Sequence, residues 1–246
     1  MSAFDQVEFE VRFEWGLPGL HALAPISDTV VIVDVLSFTT CVSIAVDRGA
    51  AVFPYAWRNE SAAEFARASN AYLAVDRRHA GPEHPYSLSP KSLLEIPEGA
   101  RLVLPSPNGS SLSFAASDMR RPVLAGCLRN AAAVARAAGA SARTVAVIAA
   151  GERWDGGDAL RPATEDLIGA GAIIRELPGK KSPEAQAAAA AFEAARGRTA
   201  DFLMQTSSGK ELDSSGYRQD VVLASELDVS ERVPMLKDRA FVAVTA

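Results

Sequence analysis

Apolar and polar positions alternate near the start of the chain, with Val7, Phe9, Val11 and Phe13 separated by Glu8, Glu10 and Arg12. That period of two predicts a half-buried strand, read here as antiparallel. Residues 29–36, TVVIVDVL, form a continuous apolar run rich in β-branched side chains, as expected of a strand covered on both faces. SFTTCVSIAVDRG (37–49) opens on hydroxyls, continues with small apolar residues and stops at Gly49, which predicts a helix. AAVFPYA (50–56) reads as a strand ended by Pro54, SAAEFARASN (61–70) as a helix and YLAVD (72–76) as a brief strand. Pro82, Pro85, Pro90 and Pro97 make 77–99 mostly loop.

The strand-to-helix order then repeats. RLVLPS (101–106) runs into the turn PNGSS and a helix start, and PVLAGC (122–127) runs into LRNAAAVARAAG (128–139). RTVAVIAAG (143–151) is the strongest central strand and leads into a glycine-rich loop. Helices follow over 163–177, opening on Thr164 and two acids, and over 182–197, with Pro183 in the first turn and Gly197 at the stop. A short helical piece precedes two strand-like segments, DVVLAS (220–225) and FVAVTA (241–246). The alternation predicts an α/β fold of three layers, a mostly parallel sheet flanked by helices, with antiparallel edges from the terminal strands. Residues 1–246 read as a single domain, without a fixed-period repeat or a linker.

Composition removes several classes of function. Against 25 Lys and Arg stand 30 Asp and Glu, a net charge of −5. With no run of basic residues, nucleic acid is not the expected partner. No apolar stretch approaches the ~20 residues of a membrane span, and the charged N-terminus is no signal peptide. A cytoplasmic protein is the expectation. Cys41 and Cys127 are too few for a disulfide framework or a four-cysteine zinc site and read as small core residues. His21, His79 and His84 lack metal-binding spacing. The early alternating strand and the Ala-rich helix over 182–197 offer faces to a second subunit, and a homodimer is the default symmetric assembly.

Chemistry gathers where strands end. Polar, small-residue turns run from Asp34 to Thr40, Ser106 to Ser111, Gly126 to Asn130 and Gly151 to Asp166. Backbone N–H groups and hydroxyls at helix starts favour an anion such as phosphate. The same loops hold carboxylates at Asp34, Glu152, Asp155, Asp158, Glu165 and Asp166. Together these point to a Mg²⁺-assisted phosphate site. Asp34 is the sharpest residue, because an unpaired carboxylate within an apolar run would cost several kcal/mol. Glu165 and Asp166 also suit an ordinary first helical turn.

The ordered segments DVLSFTT (34–40), YSLSPKSL (86–93), SPNGS (106–110), GCLRNAAAVA (126–135), AAGE (149–152), ATEDLIGAGAII (163–174), SSGKELDSSGYRQDV (207–221) and LDVSERVPML (227–236) resemble the 2-phosphosulfolactate phosphatase family. The resemblance implies a Mg²⁺-dependent acid phosphatase that converts 2-phosphosulfolactate, or a related phosphorylated hydroxy acid, to the alcohol and phosphate. In organisms that make coenzyme M, this step belongs to its biosynthesis. By position it carries over Asp34, Asn108, Gly109, Asn130, Glu165, Asp166, Ser208 and Gly209. Asp34, Glu165 and Asp166 are expected to serve catalysis and Mg²⁺, and Ser37, Thr39, Thr40, Asn108, Gly109, Ser110, Arg129, Asn130, Ser208 and Gly209 to line the substrate site. The family often carries Arg three positions after the first Asp, where this chain has Ser37. Arg129, Arg153, Arg161 or Lys210 is then expected to supply the cation.

In-line attack by metal-activated water is the expected route. An aspartyl-phosphate on Asp34 is the alternative, although that route usually pairs the Asp with a carboxylate two residues later, where this chain has Leu36. A catalytically silent protein of the same fold that binds an anion is the competing class.

Overall fold

The computed structural model describes residues 5–56, 59–154, 157 and 159–244. β1 (Val11–Trp15) and α1 (Gly16–Leu23) lead to β2 (Thr29–Val33), α2 (Phe38–Asp47), β3 (Ala51–Tyr55), α3 (Glu60–Ala68) and β4 (Tyr72–Leu73). After a long connection come β5 (Arg101–Pro105), α4 (Gly109–Ala116), β6 (Val123–Gly126), α5 (Ala131–Ser141) and β7 (Val145–Ala149). A small hairpin, β8 (Glu152–Arg153) and β9 (Leu160–Arg161), precedes α6 (Thr164–Glu176) and α7 (Pro183–Ala195). α8 (Thr199–Gln205), α9 (Ser207–Ser214), α10 (Arg218–Ser225), β10 (Val233–Lys237) and β11 (Ala240–Val244) follow.

The main sheet has the order β1-β7-β2-β6-β10-β11-β3-β5-β4. Parallel pairs join β1, β7, β2 and β6 into one block and β3, β5 and β4 into another. The antiparallel β10–β11 hairpin stands between them, touching β6 through Met235 and β3 through Phe241. Antiparallel pairing thus falls in the middle of the sheet rather than at its edges. The hairpin turns through Asp238 and Arg239, both at positive φ (47° and 66°). That is the backbone of a two-residue primed turn, made here without the usual glycine.

β2 is wholly buried because helices cover both of its faces. Val31 and Val33 pack with Val134 of α5 and with Ile173 and Ile174 of α6. Val30 and Ile32 pack with Leu20 and Leu23 of α1 and Leu112 of α4. Glycine lets α6 come close: a Cβ at Gly171 would stand 2.0 Å from the Ala188 carbonyl oxygen of α7. At Gly169 it would stand 2.4 Å from a methyl of Val35.

Three further sequence expectations are corrected. The first strand begins only at Val11 and runs parallel to β7, with Val7 exposed. Pro54 does not end β3, since it stays in register with Leu104 of β5, past the single residue at which β11 meets this strand. DVVLAS belongs to helix α10, whose Val221 and Ala224 enter the main core. A short apolar run carries too few residues for periodicity to separate helix from strand. No helix among the described residues is long and apolar enough to cross a membrane.

Candidate active site

Asp34 leaves the carboxyl end of β2 and is fixed from both sides. Its backbone N–H donates to Thr39 Oγ1 at 3.0 Å, and the Thr39 hydroxyl donates back to the Asp34 carbonyl at 2.7 Å. Its carboxylate accepts one N–H from each of two helix starts, Phe38 of α2 at 3.1 Å and Gly109 of α4 at 2.7 Å. Both helix dipoles favour the charged form, yet burial and the neighbouring Glu165 push the carboxyl up to about 6.

Asp166 is held in the same way across the site. Its Oδ1 accepts from the Val35 N–H at 2.7 Å and its Oδ2 from the Gly151 N–H at 2.9 Å. Burial, followed by the charges of Asp34 and Glu165, raises its carboxyl well above the usual range. Glu152 of β8 accepts from Asn108 Nδ2 at 2.8 Å and is pushed to about 7, by burial first and by Asp34 next.

Glu165 differs from all three. It is 1% exposed, and neither carboxylate oxygen has a hydrogen-bond partner among the described residues. A buried carboxylate without partners is costly unless a cation reaches it. No three His, Cys, Asp or Glu side chains among the described residues are gathered closely enough to ligate one metal ion by themselves. Mg²⁺ does not require that, since it keeps several waters and takes one or two carboxylates together with substrate phosphate. The unpartnered carboxylate of Glu165 is the feature of this donor set that suits such an ion, and Glu165 is the residue that would hold it. Asp155 and Asp158 lie outside the described residues.

The hydroxyl and amide residues serve mostly to build these turns. Thr40 donates to the Val35 carbonyl at 2.8 Å. Ser110, fully buried, accepts the Tyr55 N–H at 2.6 Å, and its one hydroxyl proton is shared between the carbonyls of Tyr55 and Leu104, each at 2.9 Å. Gly109 reaches Asp34 because it lacks a side chain, and a Cβ there would stand 2.6 Å from Asp34 Oδ2. Asn130 accepts the Cys127 N–H and donates to the Ala125 carbonyl, inside the turn after β6. Arg129 pairs with Glu226 and the Leu223 carbonyl. Ser208 accepts from Arg161 Nη2 at 3.1 Å, and the Gly209 N–H donates to Thr206 Oγ1 at 3.0 Å.

Ser37 stands at the start of α2, and its cationic partner is Arg77, which donates to Ser37 Oγ at 2.7 Å. Arg77 also pairs with Asp220 Oδ2 at 3.2 Å. Sequence reasoning missed both residues: Arg77 sits beside Arg78 and His79 in a proline-rich stretch, and Asp220 in a segment whose pattern reads as strand. Two clefts are lined by residues that connect to the cluster, one by Glu152 itself and the other by Arg77, which bonds Ser37. One of about 480 Å³ is lined by Asn108, Glu152 and Arg153, and the other, about 820 Å³, by Arg77, Arg78, Tyr217 and Glu211.

A family model described as 2-phosphosulpholactate phosphatase matches residues 17–239. The 2-phosphosulfolactate phosphatase of Methanothermobacter thermautotrophicus is 30% identical over 210 residues, covering 85% of this chain and 86% of that protein. A probable 2-phosphosulfolactate phosphatase from Thermus thermophilus is 28% identical, over 91% of this chain and 93% of that one. One from Gloeobacter violaceus is 35% identical over 46% of this chain and 45% of its own length. An α/β fold with this acid cluster, matched in this way over nearly its whole length, is a phosphoric monoester hydrolase. The chain belongs to the 2-phosphosulfolactate phosphatase family.

Proposed function

We propose that the protein hydrolyses 2-phosphosulfolactate, or a closely related phosphorylated hydroxy acid, with Mg²⁺ as its cofactor. The substrate follows the name of the Methanothermobacter relative. The single observation that carries the metal is Glu165, with both oxygens buried and unpartnered beside Asp34, Glu152 and Asp166. Glu165 would be the direct ligand. Asp34 and Asp166, whose oxygens each already accept a backbone N–H, would help to hold the ion beside it. When bound, Mg²⁺ supplies positive charge to offset that developing on the transferring phosphoryl group and admits an anion to an acidic site.

The remaining chemistry belongs to the chain. The doubly anchored Asp34 carboxylate favours attack by water over a covalent phosphoaspartate, which would have to give up one of two N–H bonds. Glu152, poised near neutrality, can hold or release a proton at Oε1 while Asn108 engages Oε2. A phosphate-release assay over phosphorylated hydroxy acids, with and without Mg²⁺, tests the reading. Hydrolysis that needs the metal is the expected result, and no hydrolysis of any ester would leave an anion-binding protein instead. Single-turnover reaction in ¹⁸O-water separates the two routes, because water attack places solvent oxygen in the first phosphate released.

A further inference from the structure

We propose that Arg77 anchors the part of the substrate that does not react, taking a carboxylate or sulfonate of the hydroxy acid while the phosphate lies over the acid cluster. The assignment rests on the phosphatase reading and adds a specificity residue to it.

Arg77 is held as a prepared cation rather than a surface charge. Its side chain is 19% exposed and faces Asp220, which is 1% exposed. Asp220 in turn accepts from Ser89 Oγ at 2.6 Å and from the Lys91 N–H at 3.3 Å. The guanidinium also lies 5.5 Å from the Tyr217 ring centroid. Ring, carboxylate and Ser37 hydroxyl therefore fix its plane from three sides, before any ligand arrives.

That anchoring leaves donors to spare. A guanidinium carries five N–H donors in a fixed fork. The bonds to Asp220 and Ser37 use one each, and the others reach no acceptor among the described residues. Arg129, by comparison, turns Nη1 to Glu226 and the Leu223 carbonyl, and Arg161 turns Nη2 to Ser208, so each is directed elsewhere.

Position completes the case. Ser37 immediately precedes Phe38, whose N–H holds Asp34, and Asp34 feels the Arg77 charge. Arg77 thus stands on the flank of the acid cluster, paired to none of its members, and opens onto the cleft of about 820 Å³. Asp76 and Glu211 balance the charges of Arg77 and Arg78 in the lining of that cleft, so no large excess of positive charge draws an anion there. An incoming anion must be met by the fork itself, which matches two oxygens of one carboxylate or sulfonate at once.

The test uses Arg77→Gln and Arg77→Lys. Sulfolactate, which has both anions but no phosphate, is titrated calorimetrically onto each variant and the wild type. In parallel, kcat/KM is measured for 2-phosphosulfolactate and for phenyl phosphate, which has no second anion. Arg77→Gln should weaken sulfolactate binding by about tenfold or more, and lower the ratio of the two kcat/KM values as far, chiefly through KM. Arg77→Lys should recover part of both. Removing the cation strands Asp220, so Arg77→Gln with Asp220→Asn carries the same test if the single variant fails to fold. Equal sulfolactate affinity in wild type and Arg77→Gln, or no binding by wild type, overturns the assignment. Loss of binding in a protein that hydrolyses neither ester keeps Arg77 as the anchor and sinks the phosphatase reading.

Discussion

The Gly109 N–H donates to Asp34 Oδ2 at 2.7 Å, joining the start of α4 to the end of β2 across 75 residues of sequence. The space is so tight that a Cβ at position 109 would also lie 2.8 Å from a ring carbon of Phe38. Gly109→Ala should therefore displace Asp34 as well as strain the fold. We expect a loss of about 1–3 kcal/mol in urea unfolding, together with a fall in kcat of at least tenfold, since small misplacements of reacting groups are costly. Wild-type turnover in this variant would remove the contact from the mechanism.

Glu165 should trade stability for function. Its carboxyl group is buried without a hydrogen bond among the described residues, so Glu165→Gln replaces a buried acid whose ionised form has no compensating partner. The metal-free variant should melt about 2–4 °C higher for each kcal/mol gained in a chain of this length. The rise in melting temperature produced by Mg²⁺, and Mg²⁺-dependent phosphate release, should both disappear. A Mg²⁺ shift equal to that of wild type would exclude Glu165 as the ligand.

The acid cluster also fixes the sign of the pH dependence. Asp34 is raised from 3.8 to about 6 and Glu152 from 4.5 to about 7. Between these values the folded protein holds protons that the unfolded chain has released, so stability falls as pH rises. The contribution is complete below about pH 4 and gone above about pH 7, and each tenfold gain in proton affinity on folding is worth about 1.4 kcal/mol. Melting curves without metal from pH 4.5 to 8 should show this decline in the cluster's share, and Mg²⁺ should raise stability far more at pH 8 than at pH 5. A metal-free protein whose stability rose steadily over that range would contradict the proposed protonation.

Ser110 separates construction from contact with substrate. Its hydroxyl bonds three backbone groups of β3 and β5, so Ser110→Ala should cost about 1–3 kcal/mol. KM for the phosphate ester should stay within about twofold of wild type in the folded fraction, because no donor to the ligand has been removed. A selective rise in KM without loss of stability would instead return Ser110 to the binding surface.

Most elements were legible because their patterns are local. The unbroken apolar run of β2, the hydroxyl start of α2 and the Pro and Gly bounds of the helix over 182–197 all describe what short segments bury and how they end. The hairpin of β10 and β11 was not legible as such. Its turn uses Asp238 and Arg239 at positive φ rather than a glycine pair, and its place inside the sheet depends on partners distant in sequence. α10 was hidden for a related reason, since Val221 and Ala224 are buried by neighbouring helices rather than by a sheet.

The candidate site divides in the same way. Sequence alone determined that Asp34, Glu165 and Asp166 sit at strand ends and helix starts, since an acid beside an apolar run has few other places to go. Tertiary structure decided what each one does. It spends both Asp34 oxygens and both Asp166 oxygens on backbone N–H groups and leaves those of Glu165 without a partner among the described residues. It also brings Arg77 to Ser37, 40 residues away, and fixes it with Asp220, 143 residues away. Periodicity reports which residues are buried, whereas hydrogen-bond partners and charge pairs are set by the packing of whole elements, and no short window of sequence contains that.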